Sequence, residues 1–338
     1  MSGSHADGRL PGSTTKDGMV MSFKPNSLIM KVAALAASWL VAGTALAQET
    51  GQTKGRAVDG QLGLQPAASP VMEKLSSFHD SLLVIISLIT LLVFVLLGIC
   101  ILRFRKGANG TPSKTSHNTW LEVAWTAIPV AILVFIMFPS FNLLYYQDRT
   151  PEADLVIKAT GYQWYWGYEY PAQDNGDAGV TIDQPFRFDA FMLEEELFGQ
   201  GADTEARQAA VSDLQTFLNA EETPSVHRLL DTTTRIVVPV DKTVKVLVTS
   251  ADVLHSFTVP AFGFKKDAIP GRFNETWFKA TETGTFYGQC SELCGIKHAY
   301  MPIVVEVVSE DQFAAWKQRT SQEYAINGGG DAQFANAD

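Results

Sequence analysis

CSELCGIKHAYM, residues 290–301, holds two of the three cysteines in a chain of 338 residues. Cys290 and Cys294 stand four apart, His298 follows four residues later, and Met301 three after that. Two cysteines outside the cytoplasm ordinarily pair as a disulfide. A bridge this short closes a small ring, gains little chain entropy and leaves His298 and Met301 without a purpose. A Cys2His2 zinc site needs a second histidine. His255, in SADVLHSFTVP, supplies one, but zinc has no use for a thioether. Copper does, because two thiolates, two imidazoles and a Met sulfur form a soft donor set suited to it. A single blue-copper ion takes one Cys, two His and an axial Met. The present set has one thiolate more. Each thiolate can bridge two metals, so the inventory fits a pair of copper ions.

The sequence around this loop reads as strands. DLVIKATGYQWYWGYEYP, TRIVVPVDKTVKVLVTS, HSFTVP, ETWFKATETGTFYGQC and PIVVEVVS are rich in Val, Ile, Thr and aromatics, and Asp-Lys, Pro-Gly and Thr-Gly turns punctuate them. Several short strands without intervening helices predict a β-sandwich or barrel over 152–308. Residues 172–228 interrupt the pattern and read as an insertion. Within it, TEARQAAVSDLQTFL puts Ala209, Val211, Leu214, Phe217 and Leu218 on one helical face. Alternation through YQWYWGYEY places Tyr162, Trp164, Trp166, Tyr168 and Tyr170 on one strand face. The segment 309–338 opens on SEDQFAAW, a capped helix, and frays at its glycines.

Two long apolar runs precede the β region. Residues 81–102 carry no charge over 22 positions, and residues 120–146 carry only Glu122. Both are long enough to cross a bilayer. Pro129 and Pro139 are tolerable there if neighbours satisfy the freed carbonyls. Between the runs, residues 103–119 hold Arg103, Arg105, Lys106 and Lys114 and no acid, so this loop is expected to be cytoplasmic. The segment 48–80 and everything after Tyr146 then lie outside. Cys100 falls in the first span and reads as inert packing. Residues 21–47 have a basic start, an apolar stretch and a small-residue site ending at Ala47, the pattern of a secretory signal. The alternative is an uncleaved first membrane helix. Residues 1–20 are polar and read as an upstream start-site artefact, which leaves Met1 and Met21 as candidate starts.

Charge is unevenly placed. Residues 147–338 hold 29 Asp and Glu against 15 Lys and Arg, a net −14, while residues 1–146 hold 7 against 11, a net +4. An acidic C-terminal half argues against nucleic acid. It suits a basic partner met by steered encounter, or simply a solubilising surface.

With CSELCGIKHAYM, DVLHSF, YQWYWGYEY and DAIPGR following a signal and a two-helix hairpin, the chain resembles subunit II of the haem–copper cytochrome c oxidases, of the bacterial aa-type. The likeness covers about residues 48–320. It implies a two-helix transmembrane hairpin followed by an all-β cupredoxin-like sandwich or barrel. It also implies a binuclear copper centre. Cys290 and Cys294 would bridge the coppers, His255 and His298 would ligate one each, Met301 would bind one weakly, and the Glu292 carbonyl would complete the other. By the same resemblance, the Glu292 carboxylate faces magnesium at the boundary with subunit I, and Trp164 takes up electrons from cytochrome c. Glu169 and Asp252 dock that cytochrome, while a further docking acid of the family falls at Thr233 here, with Asp231 two residues upstream. Subunits I and III are the expected neighbours, in a bacterial inner membrane with the C-terminal domain in the periplasm.

Glu122 has two readings. Thr119-x-x-Glu122 is a capping-box pattern, and an acid near a membrane span is also a functional candidate. The resemblance assigns it proton uptake into subunit I. Three other functions compete with the oxidase reading. Quinol oxidases share the fold but lack the copper ligands. A membrane-tethered copper carrier or assembly factor needs no docking tryptophan or magnesium acid. Nitrous oxide reductase uses the copper motif on a much larger chain. No C-x-x-C-H haem attachment site occurs.

Overall fold

In a computed structural model, residues 55–107, 114–176, 179–194, 197 and 204–326 are described. The signal expected at 21–47 and the tail beyond residue 326 lie outside them. Among them two long helices come first, α1 over Pro70–Arg103 and α2 over Thr119–Asp148. Both are long and apolar enough to cross a membrane. Helix α1 starts 11 residues before the expected apolar run. Ser69 caps it, with its hydroxyl accepting the Met72 N–H at 3.0 Å, and Pro70 occupies the first helical position. Val71 and Met72 in this first turn are buried.

Helix α2 corrects one expectation. Its N-cap is Asn118, whose side chain accepts the Leu121 N–H at 3.2 Å. Thr119 is therefore already inside the helix, and Leu121 holds the position that closes a capping box. Glu122 sits one residue too late to reach back to the cap. The cap reading of Glu122 falls away because Asn, with its extended backbone, wins the N-cap over Thr.

Among the described residues twelve strands follow: β1 Leu155–Tyr162, β2 Tyr165–Tyr170, β3 Gln173–Asp174, β4 Thr181–Ile182, β5 Phe186–Ala190, β6 Ile236–Pro239, β7 Thr243–Ser250, β8 His255–Val259, β9 Phe264–Ala268, β10 Asn274–Lys279, β11 Gly284–Cys290 and β12 Pro302–Val308. One five-stranded sheet has the order β10-β7-β1-β2-β5, and a second has β6-β12-β11-β8-β9. The inward residues of both sheets form one buried cluster that includes Leu155, Ile157, Trp166, Val246, Phe257, Phe286 and Val305. The sandwich predicted from the strand pattern is present.

The aromatic run corrects a second expectation. A turn at Gln163 and Trp164 separates β1 from β2, and Tyr162 pairs with Tyr165. Crossing the turn changes the face. Trp166, Tyr168 and Tyr170 remain on the buried face, whereas Tyr162 stacks on Tyr165 at 4.7 Å on the outer one. Trp164 belongs to neither strand.

The segment 172–228, expected to be an insertion with one short helix, carries more structure than that. The expected helix is present as α3, Thr204–Leu218, with Leu214 and Phe217 buried. Strand β5 also lies in this segment and completes the first sheet by pairing with β2. Helix α4, Glu310–Glu323, closes the described chain with a full capping box between Ser309 and Gln312. Its Trp316 packs on Phe186 and Phe188 of β5.

The segment before α1 straps the helix pair to the sandwich. Gly55 accepts the Tyr287 N–H at 2.8 Å, and Ala68 bonds to both Ala261 and Thr281. Ser69 donates to the Phe262 carbonyl at 2.7 Å.

Candidate metal centre

The centre forms where two sheet neighbours end. Strand β8 starts at His255 and β11 ends at Cys290, its antiparallel partner. The chain then loops through Cys294 and a turn at His298–Tyr300, and returns into β12. The Cys290 N–H donates to the Met301 carbonyl at 3.0 Å and closes this loop.

Four side chains cluster. His255 Nδ1 is 3.9 Å from Cys290 Sγ, the two sulfurs are 3.8 Å apart, and His298 Nδ1 is 3.6 Å from Cys294 Sγ. Each sulfur thus has a histidine nitrogen within 4 Å. The thiols are free and far beyond the roughly 2.05 Å of a disulfide, so the disulfide reading of the spacing is excluded in this state. The ligating atoms of His255, Cys290 and Cys294 all fall within 4.8 Å of one another. Met301 is 1 % exposed, in the same buried cluster as both sulfurs. The Glu292 carbonyl lies 3.3 Å from Cys290 Sγ, while the residue itself is exposed. Two thiols with two imidazoles beside them and a thioether nearby fit a pair of soft metal ions.

Electrostatics prepare one thiolate and withhold the other. Burial raises the Cys290 thiol, but hydrogen bonds to His255 and to the backbone of Glu292 and Ser256 outweigh it and bring it down to about 6. Burial and the adjacent Cys290 sulfur push Cys294 up to about 12. The pair titrates as a unit, with one proton retained near neutrality. A bound cation must displace that proton. Copper loading of the metal-free protein is therefore expected to release protons. Its apparent affinity should rise about tenfold per pH unit between roughly pH 7 and pH 9 for one displaced proton. Calorimetric titration at several pH values checks this, and a flat profile would refute the protonated Cys294.

His255 is held by a carboxylate. Its Nε2 is 2.8 Å from Asp252 Oδ1, which commits that nitrogen and leaves Nδ1 to face the sulfurs. Asp252 also accepts the Gln163 N–H at 2.7 Å. This inner role was missed in the sequence, although an acid three residues before a candidate ligand is a usable signal. Asp252 remains partly exposed, at 32 %. Gln163 was missed as well: its side-chain amide donates to the Cys294 carbonyl at 2.8 Å. Trp164 donates its indole N–H to the same carbonyl at 3.2 Å. The turn between β1 and β2 therefore touches both halves of the centre, and Trp164, unlike the fully buried Trp166, reaches the surface beside it.

The other expected residues fall elsewhere. Glu169 pairs with Lys158 across the β1–β2 ladder at 3.2 Å. Asp231 is fully buried and bonded to Arg235 at 2.6 Å, so it presents no charge to a partner. Glu122 is exposed in the first turn of α2, in the other part of the chain. Around the centre, Val253, Leu254, Leu293 and Ile296 form an exposed apolar rim, with Ile296 at 88 %.

A sequence model of "Cytochrome C oxidase subunit II, periplasmic domain" matches residues 155–308, and one of its "transmembrane domain" matches residues 57–143. The chain belongs to the cytochrome c oxidase subunit II family. It is 44% identical to cytochrome c oxidase subunit 2 of Cereibacter sphaeroides over 85% of this chain and 89% of that one. It is also 44% identical to a probable cytochrome c oxidase subunit 2 of Rickettsia bellii, over 82% and 90%. The crystal structure of the periplasmic domain of subunit II of Bradyrhizobium japonicum cytochrome oxidase is 46% identical, covering 52% of this chain and all of that one, with a TM-score of 0.39. The apolar helices and the family's transmembrane domain make this a membrane protein with an extramembrane β domain.

Proposed function

We propose that this subunit accepts electrons from cytochrome c at a pair of copper ions and passes them to subunit I of an oxidase, where oxygen is reduced. The reading is carried by the cluster of His255, Cys290, Cys294 and His298, with a histidine nitrogen within 4 Å of each of two free thiols. When bound, a thiolate-bridged copper pair supplies one-electron carriage with the charge shared between two ions. The chain's own residues hold and shield it. Cys290 and Cys294 would bridge, His255 and His298 would cap the ends, and Met301 and the Glu292 carbonyl would complete the set. Asp252 orients His255, and Gln163 with Trp164 fixes the Cys294 turn. Burial of both sulfurs keeps water away and favours a resident centre over a carrier that must surrender its metal.

The same reading places magnesium at the exposed Glu292 carboxylate, shared with subunit I, and subunit III in the same complex. It sets the β domain in the periplasm and the 103–119 loop in the cytoplasm of a bacterial cell. Asp252 and the apolar rim would meet cytochrome c. Glu169 has a weaker claim, since Lys158 already neutralises it. The decisive experiment is copper stoichiometry with electron paramagnetic resonance on the oxidised protein. Two coppers and a seven-line pattern are expected. One copper, or a stable zinc site under copper excess, would sink the reading.

Glu122 is assigned proton uptake toward subunit I. Because Asn118 supplies the cap, a structural explanation for Glu122 is lost. In the assembled oxidase, Glu122→Gln is expected to slow steady turnover while copper reduction by cytochrome c keeps its normal rate. Full turnover in that variant would remove the assignment.

A further inference from the structure

Strand β1 narrows toward the metal. Its inward positions are Leu155, Ile157, Ala159 and Gly161, all buried. Side-chain size falls along this row from leucine to hydrogen. The imidazole of His255, which comes from the opposing sheet, lies at the narrow end. A Cβ on Gly161 would stand 2.8 Å from His255 Cδ2, 2.9 Å from Cγ and 3.1 Å from Cβ. Real Cβ atoms do not approach that closely, so a side chain there would have to move the ring.

The backbone itself does not ask for glycine. Gly161 sits inside a regular strand, registered with Trp166 on one side and Ser250 on the other, and its φ is not in the left-handed region. A glycine within a strand weakens it, and its use there marks a close approach. The ring cannot withdraw without loss. Its Nε2 is bonded to Asp252 at 2.8 Å, and the residue is fully buried. The Trp166 ring forms a second wall, 6.0 Å away centre to centre and inclined at 61°.

We propose that Gly161 is a positioning residue of the metal centre: the missing side chain sets the depth at which His255 sits, and so where Nδ1 meets the Cys290 sulfur. The proposal rests on the copper reading above and adds a residue that contacts no metal.

The test uses the full chain in detergent, as wild type, Gly161→Ala and Gly167→Ala. Gly167 is the control: the three atoms nearest to a Cβ there belong to the side chains of Asp189, Tyr162 and Arg187, none of them a ligand. In metal-free protein labelled with 15N-histidine, the His255 Nε2–H held by Asp252 is expected as a slowly exchanging signal in wild type and Gly167→Ala. In Gly161→Ala it should shift and exchange faster. Copper titration should show affinity reduced roughly tenfold or more in Gly161→Ala, the scale of outer-shell losses, with the seven-line resonance replaced by that of unequal ions. A merely structural glycine would lower the unfolding midpoint and leave both spectra unchanged. A folded Gly161→Ala with the wild-type histidine signal and the wild-type resonance would overturn the proposal. If Gly161→Ala does not fold, Trp166→Phe decides, because opening the other wall should loosen the same ring and move the same two signals. Unchanged signals there would overturn it too. A wild-type chain that binds no copper pair sinks the copper reading instead, and the histidine signal still judges the positioning.

Discussion

Replacing Cys294 with Ser is expected to abolish the two-copper resonance and lower copper affinity by more than about 100-fold, beyond the upper range for outer-shell partners. A hydroxyl cannot give up its proton to bridge soft ions as a thiol does. The fold should survive, because Cys294 sits on a loop whose closure depends on backbone bonds, notably Cys290 to Met301. Absorption and resonance spectra, with unfolding curves as a control, check this. Two coppers with a shared electron in Cys294→Ser would refute the bridging assignment. Cys290→Ser should do the same and also remove the thiol that ionises near neutrality.

Trp164→Phe should act differently. Electron uptake from cytochrome c is expected to fall by about tenfold or more. The dissociation constant should stay within about threefold, under ~0.7 kcal/mol. The reasoning is local. The variant loses the indole bond to the Cys294 carbonyl, but Gln163 keeps the shorter bond to the same oxygen, so the copper loop holds its shape. What is lost is the aromatic bridge from the surface to that carbonyl. Stopped-flow reduction set beside equilibrium binding separates the two quantities. Equal loss of affinity and rate would assign Trp164 to docking alone.

Much of this was legible because some residues have few uses. Two thiols, two histidines and a methionine at these spacings leave little besides copper, and uncharged runs of membrane length speak for themselves. The turn at Gln163 and Trp164 was not legible. It contains no Gly, Pro, Asn or Asp, so alternation was carried through it and Tyr162 was put on the wrong face. Strand β5 was hidden for a related reason. FRFDA sits among acidic, glycine-rich neighbours, and only its pairing with β2 makes it a strand. Asn118 took the N-cap from Thr119, which shifted Glu122 out of the capping box. Gly161 was silent because an empty place acquires meaning only when a ring from another sheet fills it.

The early start of helix α1 carries a mechanical consequence. About 16 Å of helix, at 1.5 Å per residue, separates Pro70 from the apolar run at residue 81. Its first turn rests on the segment that follows β8, where Gly263 leaves no more than a hydrogen against Met72. Strand β8 then runs about 13 Å from Val259 to His255. Gln147 steadies the joint by donating to the Gly263 carbonyl, and Tyr146 does so by packing on Trp277. Helix and strand form a jointed ruler between bilayer and ligand. One extra residue in the exposed part of α1 would shift its first turn about 1.5 Å and about 100° while α2 still holds the sandwich, straining the joint that sets where the centre sits. The length of that stretch is part of the electron path, although no residue in it touches the metal.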